Sequence, residues 1–168
     1  MAQGHTLIFR AALESDAKIY RDIEIEGAKS LYRFAEAITS AFGFDFDHAF
    51  GFYTGLTPAK DRALPRYELF ADMGDADPGV LGVEKTKIGQ AFPNVGHTML
   101  FLFDYGDDWR FRVKLTGTGT KVAKVRYPRV VASNGEAPQQ YPELDEAGDD
   151  RPTYGINLAT GEKIYFRK

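Results

Sequence analysis

Three aspartates crowd one glycine in the stretch Phe103-Asp104-Tyr105-Gly106-Asp107-Asp108-Trp109. Carboxylates gathered on one loop are the oxygen donors that a hard divalent cation takes. With His48 supplied from another loop, Asp104, Asp107 and Asp108 would make the ligand set of a metal-assisted hydrolase. The same residues have a plainer reading. Asp and Gly are preferred in tight β-turns, because the carboxylate bonds nearby backbone amides and both residues enter left-handed conformations. That reading makes the stretch a structural turn, and it is the one the residue types favour.

A second constellation is cationic. Trp109, Phe111, Val113 and Leu115 alternate with Arg110, Arg112, Lys114 and Thr116, the pattern of a strand with one buried and one basic face. Gly117-Thr118-Gly119 is expected to close a hairpin with a strand over Lys121–Val131, which would set Arg112 against Lys124 and Arg110 against Arg126. Directly opposed like charges destabilise a sheet. Their compensation would come from an anionic partner such as nucleic-acid phosphate, or from Asp22, Glu24 and Glu26 on one face of an N-terminal strand. Trp109 is a core anchor by its place in the alternation, and a stacking platform for a ligand on the functional reading.

Other chemistry finds little support. Cysteine is absent, which excludes disulfides, thiolate nucleophiles and thiolate metal sites. His5, His48 and His97 lack the spacing of a zinc motif, and Asp72, Asp75 and Asp77 lack that of a calcium loop. There is no phosphate-cradling glycine loop or nucleophile elbow. Ser15, Ser30, Ser40 and Ser133 sit where nothing would activate them, so recombinase chemistry is not expected. No cofactor is expected.

The elements that must position these residues fit one domain spanning residues 1–168, long enough to bury roughly 70% of its unfolded surface. The composition is that of a soluble globular chain, 43% hydrophobic and 27% charged, and the formal charge of -3 gives no global pull toward nucleic acid or membrane. No apolar run nears the roughly 20 residues that span a bilayer, and no basic-then-apolar leader opens the chain, so a cytoplasmic protein is expected. Thr6–Leu13 and Lys18–Glu26 read as a hairpin, Lys29–Phe42 as an amphipathic helix stopped by Gly43, and His48–Tyr53 and Tyr67–Ala71 as strands. Thr57–Pro65 reads as loop, Glu84–Ala91 as a short helix, and Met99–Phe103 as a strand buried on both faces. Ala132–Pro152, rich in Gly, Pro, Gln and acidic residues, reads as a mobile or wrapping loop, and residues 153–167 as a closing hairpin.

Tyr20-Arg21-Asp22-Ile23-Glu24-Ile25, the helix ending in Gly43-Phe44, His48-Ala49-Phe50-Gly51-Phe52, the aspartate turn and Tyr127-Pro128-Arg129 follow one another in an order that resembles the plasmid ORF-three-like family. Its members are also described as TnpR-type passenger proteins of insertion elements. The resemblance covers residues 5 to 140 and implies an α+β domain, a curved, mainly antiparallel sheet with one long and one short helix packed on it. It also shows departures. Relatives usually carry histidines where this chain has Phe111 and, near His48, Phe50, and a cysteine pair where it has residues 130–141. A site built from those groups in relatives would be largely gone here.

Two functions from different classes therefore remain in view. One is a non-enzymatic binding or interaction module, presenting Trp109, Arg110, Arg112, Lys114, Lys124 and Arg126, or the 132–152 loop, to nucleic acid or to a protein. The other is the hydrolase built on the loop carboxylates. An uncovered sheet edge would also let a second copy of the chain pair with it, though the sequence does not identify the edge strand.

Overall fold

The computed structural model describes residues 4–56, 63–141, 153–156 and 159–166. Alternation along His5–Leu13 (β1) and Tyr20–Glu26 (β2) sends Phe9, Ala11, Leu13, Ile23 and Ile25 to one face, and the two strands pair antiparallel from Thr6↔Glu26 to Ala12↔Tyr20. Ser30 then starts the helix Leu31–Ala41 (α1), its hydroxyl accepting the Arg33 amide at 3.3 Å. Gly43, at φ 72°, stops the helix, as its position in the sequence predicts. Leu31, Phe34, Ala35 and Ile38 of α1 bury against the sheet.

Phe50–Tyr53 (β3), Arg66–Glu68 (β4), Thr98–Phe103 (β5), Trp109–Thr120 (β6) and Arg129–Asn134 (β7) complete a seven-stranded antiparallel sheet ordered β4-β3-β5-β6-β1-β2-β7. The fold is α+β. Two single helical turns, Leu69–Asp72 (α2) and Ile88–Ala91 (α3), join the long helix, so the strand expected over 67–71 splits into β4 and α2, and the helix expected over 84–91 keeps only its last turn. Thr153–Ile156 (β8) and Lys163–Phe166 (β9) pair as a separate two-stranded sheet. Among the described residues, no helix is long and apolar enough to cross a membrane. Of the expected loop over 57–65, residues 57–62 lie outside the described residues, as do residues 142–152 of the later one.

The core is aromatic. Phe34 stacks on Phe52 and meets Phe9, Phe52 stacks on Phe101 at 4.8 Å, and Phe111 fills the space between Phe101 and Phe42. Each of these phenylalanines is buried, and each contributes about 1.5–3 kcal/mol of transfer free energy to the fold.

The Gly117-Thr118-Gly119 hairpin is not formed. β6 runs straight through these residues and pairs along its far side with β1, His5↔Thr120 to Leu13↔Phe111, while β7 pairs with β2. Neither glycine has a positive φ. Open space surrounds Gly117, and the role of Gly119 is steric: the register slips at Thr116, where a bulge leaves the hydroxyl bonded to the Ile8 carbonyl. A Cβ at Gly119 would then stand 2.7 Å from Thr6 Oγ1 and 3.0 Å from Glu24 Oε1. Close approach to a buried polar pair, and not turn geometry, selects the glycine. The chain reverses later, in residues 121–128, where Lys124 takes φ 66°.

Candidate functional site

The aspartate turn links β5 to β6, with Phe103 opposite Trp109. Asp104 and Asp108 both adopt left-handed backbone, at φ 63° and 60°. One Asp104 carboxylate oxygen accepts the amides of Gly106 (3.0 Å) and Asp107 (3.1 Å), and its backbone amide donates to Ala49 of the neighbouring loop. The other oxygen, Oδ2, is buried without a hydrogen-bond partner and lies 3.5 Å from His48 Nε2. Asp108 accepts from Arg110 Nε at 3.0 Å. Of the four residues that metal chemistry would need, Asp104 and His48 are brought together, whereas Asp107 gives its amide to the turn and Asp108 its carboxylate to a guanidinium. Among the described residues, no three His, Asp or Glu side chains converge on a point that would hold a metal ion.

Asp47, Gln140 and Tyr141 complete this end of the sheet. His48 Nδ1 lies 2.7 Å from Asp47 Oδ1, and Tyr141 donates its hydroxyl to Asp47 Oδ2 at 2.9 Å. The Gln140 side chain bonds both ways to the Asp45 backbone, at 2.7 and 3.0 Å. The segment after β7 is thereby fastened to the loop before β3. Burial opposes ionisation of Asp47, but the bonds from His48 and Tyr141 outweigh it and hold the carboxyl below its usual range. Burial and the neighbouring Asp47 push the Tyr141 hydroxyl well up, so it serves as a proton donor in this cluster and not as a base. A hollow of about 330 Å³ opens beside it, lined by Tyr32, Phe46, Asp47, His48 and Leu69. No local sequence signal marks Gln140 and Tyr141, which lie more than 90 positions from their partners.

The basic strand face is largely answered from within. Arg110 pairs with Asp108 and lies 3.8 Å from Glu14, and Arg112 lies 3.4 Å from the same glutamate. The acidic residues of β2 do compensate cations, but not the expected ones: Asp22 holds Arg10 through two bonds, Glu24 holds Arg129 at 2.7 Å, and Glu26 meets Lys121 at 3.2 Å. Lys124 and Arg126 belong to the connection 121–128 and do not face Arg112 and Arg110, because β6 and β7 are not neighbours. With Lys114 they form no ion pair among the described residues. Trp109 turns inward onto Phe44, ring centroids 4.8 Å apart, and its indole nitrogen is buried without a partner.

A third surface lies at the other end of the sheet. The edge strand β4 has three residues and is bridged by Leu81. The opposite edge, β7, has six, all exposed, and pairs only with β2 among the described residues. Between α1 and the Tyr127-Pro128 connection runs a groove of about 410 Å³, lined by Ile25, Lys29, Arg33, Ala37, Ser40 and Pro128, and it adjoins a second hollow of about 240 Å³ that reaches the start of β7 at Arg129 and Val130.

A family model described as plasmid pRiA4b ORF-3-like protein matches residues 7–142. The chain belongs to this family. The plasmid ORF-3-like unit thus runs from β1 to just past Tyr141; it takes in the Tyr141–Asp47 contact, and β8 and β9 follow it. In fold, the chain is similar to a protein of unknown function, MM3350 from Methanosarcina mazei Go1, seen in a crystal structure; the two share 18% identity and a TM-score of 0.65, over 82% of this chain and 73% of that one. No curated protein matches by sequence. Phe111 and Phe50, where the resemblance places histidines in ORF-3-like relatives, are both fully buried in the aromatic core.

Proposed function

We propose that this ORF-3-like protein is a non-enzymatic interaction module that receives an extended segment of a partner at the β7 edge, with side chains of the incoming strand entering the groove beside α1. The observation that carries this reading is the juxtaposition of an exposed six-residue edge with the hollow that Arg129 and Val130 share with α1, which opens into the larger groove. Main-chain bonds to the edge would supply affinity, and the groove would supply selectivity, as in other strand-addition modules. A nucleic-acid version through Arg110 and Arg112 has less support, since both guanidinium groups already face carboxylates. The hydrolase reading rests on the His48–Asp104 pair with its unpartnered oxygen.

A display library of random extended peptides is expected to yield binders that Ser40→Trp weakens, because Ser40 is exposed and lines both hollows of the groove. Asp104→Asn should leave that binding unchanged. Manganese- or zinc-dependent turnover of activated phosphate or carboxylate esters that Asp104→Asn abolishes would overturn the proposal in favour of the hydrolase. Retention on immobilised DNA that falls steeply with salt would move the partner to the basic face.

A further inference from the structure

We infer that Asn134-Gly135 is a modification site: Asn134 deamidates spontaneously when the Arg21 clamp at the end of β7 opens, and the product releases the segment that follows. This goes beyond the interaction-module reading and does not depend on what binds at the β7 edge. Asn134 is the only Asn or Asp of the chain that precedes a glycine, whereas Asn94 and Asn157 precede Val95 and Leu158. The difference matters because the attacking atom is the backbone nitrogen of the next residue, and glycine brings no side chain to hinder it. Asn134 and Gly135 are both exposed. The fold cannot discard that glycine, which takes φ 76°, and where a Cβ would stand 2.9 Å from Ile19 Cγ1 and 3.2 Å from its Cα. A labile dipeptide is thus built into the end of the strand.

The chemistry needs only water and a solvent base. Once its proton is lost to hydroxide, the Gly135 nitrogen attacks Asn134 Cγ. The N–Cγ bond forms, the Cγ–Nδ2 bond breaks, and the amide nitrogen takes a proton from water and leaves as ammonia. The resulting imide ring adds water at one of its two carbonyls and opens to aspartate or isoaspartate, with no change in oxidation state.

Closing that ring requires rotation about the Asn134 Cα–C bond, out of the extended conformation. The structure opposes the rotation on both sides of the bond. Asn134 pairs with Tyr20 as the last residue of β7, and its Nδ2 donates to the Lys18 carbonyl at 2.6 Å. Arg21 Nη1 donates to the carbonyls of Asn134 (3.1 Å) and Gly135 (3.0 Å), while Nε donates to Ala41 at the end of α1. One guanidinium therefore ties the end of β7 to β2 and α1. Deamidation proceeds through local opening, and its rate reads how often the clamp lets go.

The product does not close again. Aspartate sets a carboxylate oxygen against the Lys18 carbonyl where Nδ2 donated, acceptor facing acceptor. Isoaspartate routes the main chain through the former side-chain carbonyl, one methylene longer, and displaces the Asn134 carbonyl that Arg21 holds. Downstream lie Ala137, packed on the core, and the Gln140–Asp45 and Tyr141–Asp47 contacts. Conversion is expected to loosen residues 135–141 and leave the rest of the sheet formed.

Peptide mapping by mass spectrometry tests this on the whole chain incubated in mildly alkaline buffer, with enzymatic methylation of isoaspartate as a second readout. Asn134 is expected to convert ahead of Asn94 and Asn157, to a mixture of aspartate and isoaspartate, and more slowly in the folded chain than in urea. Arg21→Met should speed conversion of the folded chain roughly tenfold, the scale set by losing bonds from a charged donor. The converted protein, separated by its added negative charge, should show faster amide exchange over residues 135–141 with unchanged far-ultraviolet circular dichroism. Conversion of Asn134 no faster than of Asn94, a folded Arg21→Met that converts at the wild-type rate, or unchanged exchange at 135–141 after conversion would each overturn the inference. If Arg21→Met does not fold, the wild-type rates in buffer and in urea decide the matter, and equal rates overturn the clamp.

Discussion

Replacing Asp104 by alanine is expected to cost the fold about 3 kcal/mol, whereas Asp104→Asn costs less than about 1 kcal/mol. The carboxylate is buried and accepts two backbone amides, and a residue at φ 63° needs either glycine or a short polar side chain that tolerates left-handed backbone. Alanine removes the acceptor from both amides and adds the left-handed penalty. Asparagine keeps the acceptor and the conformation, and its amide nitrogen can donate toward His48 Nε2, which the native Oδ2 faces at 3.5 Å. Denaturant unfolding of the two variants separates these costs. Equal destabilisation by both would mean that the charge, and not the turn, is what the position requires.

Arg129→Ala is the second large effect, about 2 kcal/mol at neutral pH. Glu24 is buried between Thr6, which donates to Oε1 at 2.7 Å, and Arg129, which donates twice to Oε2. Removing the cation strands a buried carboxylate, a change that costs 3–5 kcal/mol in fully enclosed pairs; the Arg129 side chain is 44% exposed, so solvent screening lowers the figure. In the native protein burial raises the Glu24 pKa, but the bonds from Thr6 and Arg129 and the guanidinium charge outweigh it, so the folded value lies below the usual range of a glutamate. The stability this contributes is present in full above the unfolded pKa, and it is lost as pH falls through the depressed folded one. In Arg129→Ala only the burial and the Thr6 bond remain, so acid should narrow the gap between variant and wild type. A destabilisation that is constant from pH 7 to pH 3 would contradict this assignment.

What the sequence makes legible here is local. Period-two alternation in β1, β2 and β6, period-3.6 spacing in α1 and the left-handed demand of Gly43 are all satisfied within a few residues, and each element forms where those rules place it. The Gly117–Gly119 hairpin fails because glycine answers two different needs. Only the position of Thr6 and Glu24, more than 90 residues earlier, shows that space and not turn geometry was the constraint. The strand over Trp109–Thr116 forms, but its neighbour is β1 and not the segment after Gly119, so its arginines meet Glu14 across the β1–β6 pairing. The same holds for the Gln140–Asp45 and Tyr141–Asp47 contacts, which no spacing encodes. The β7 edge was invisible for a further reason. An edge is a property of strand order, and strand order depends on non-local pairing that neither alternation nor turn residues specify.

The most direct test of the account is a residue-level hydrogen-exchange footprint of the whole chain with and without its strongest library-selected peptide. The account predicts slowed exchange at residues 129–134, with residues 47–48 and 103–109 unchanged. Protection centred on His48 and the Asp104 turn, with β7 exchanging freely, would contradict it and return function to the aspartates.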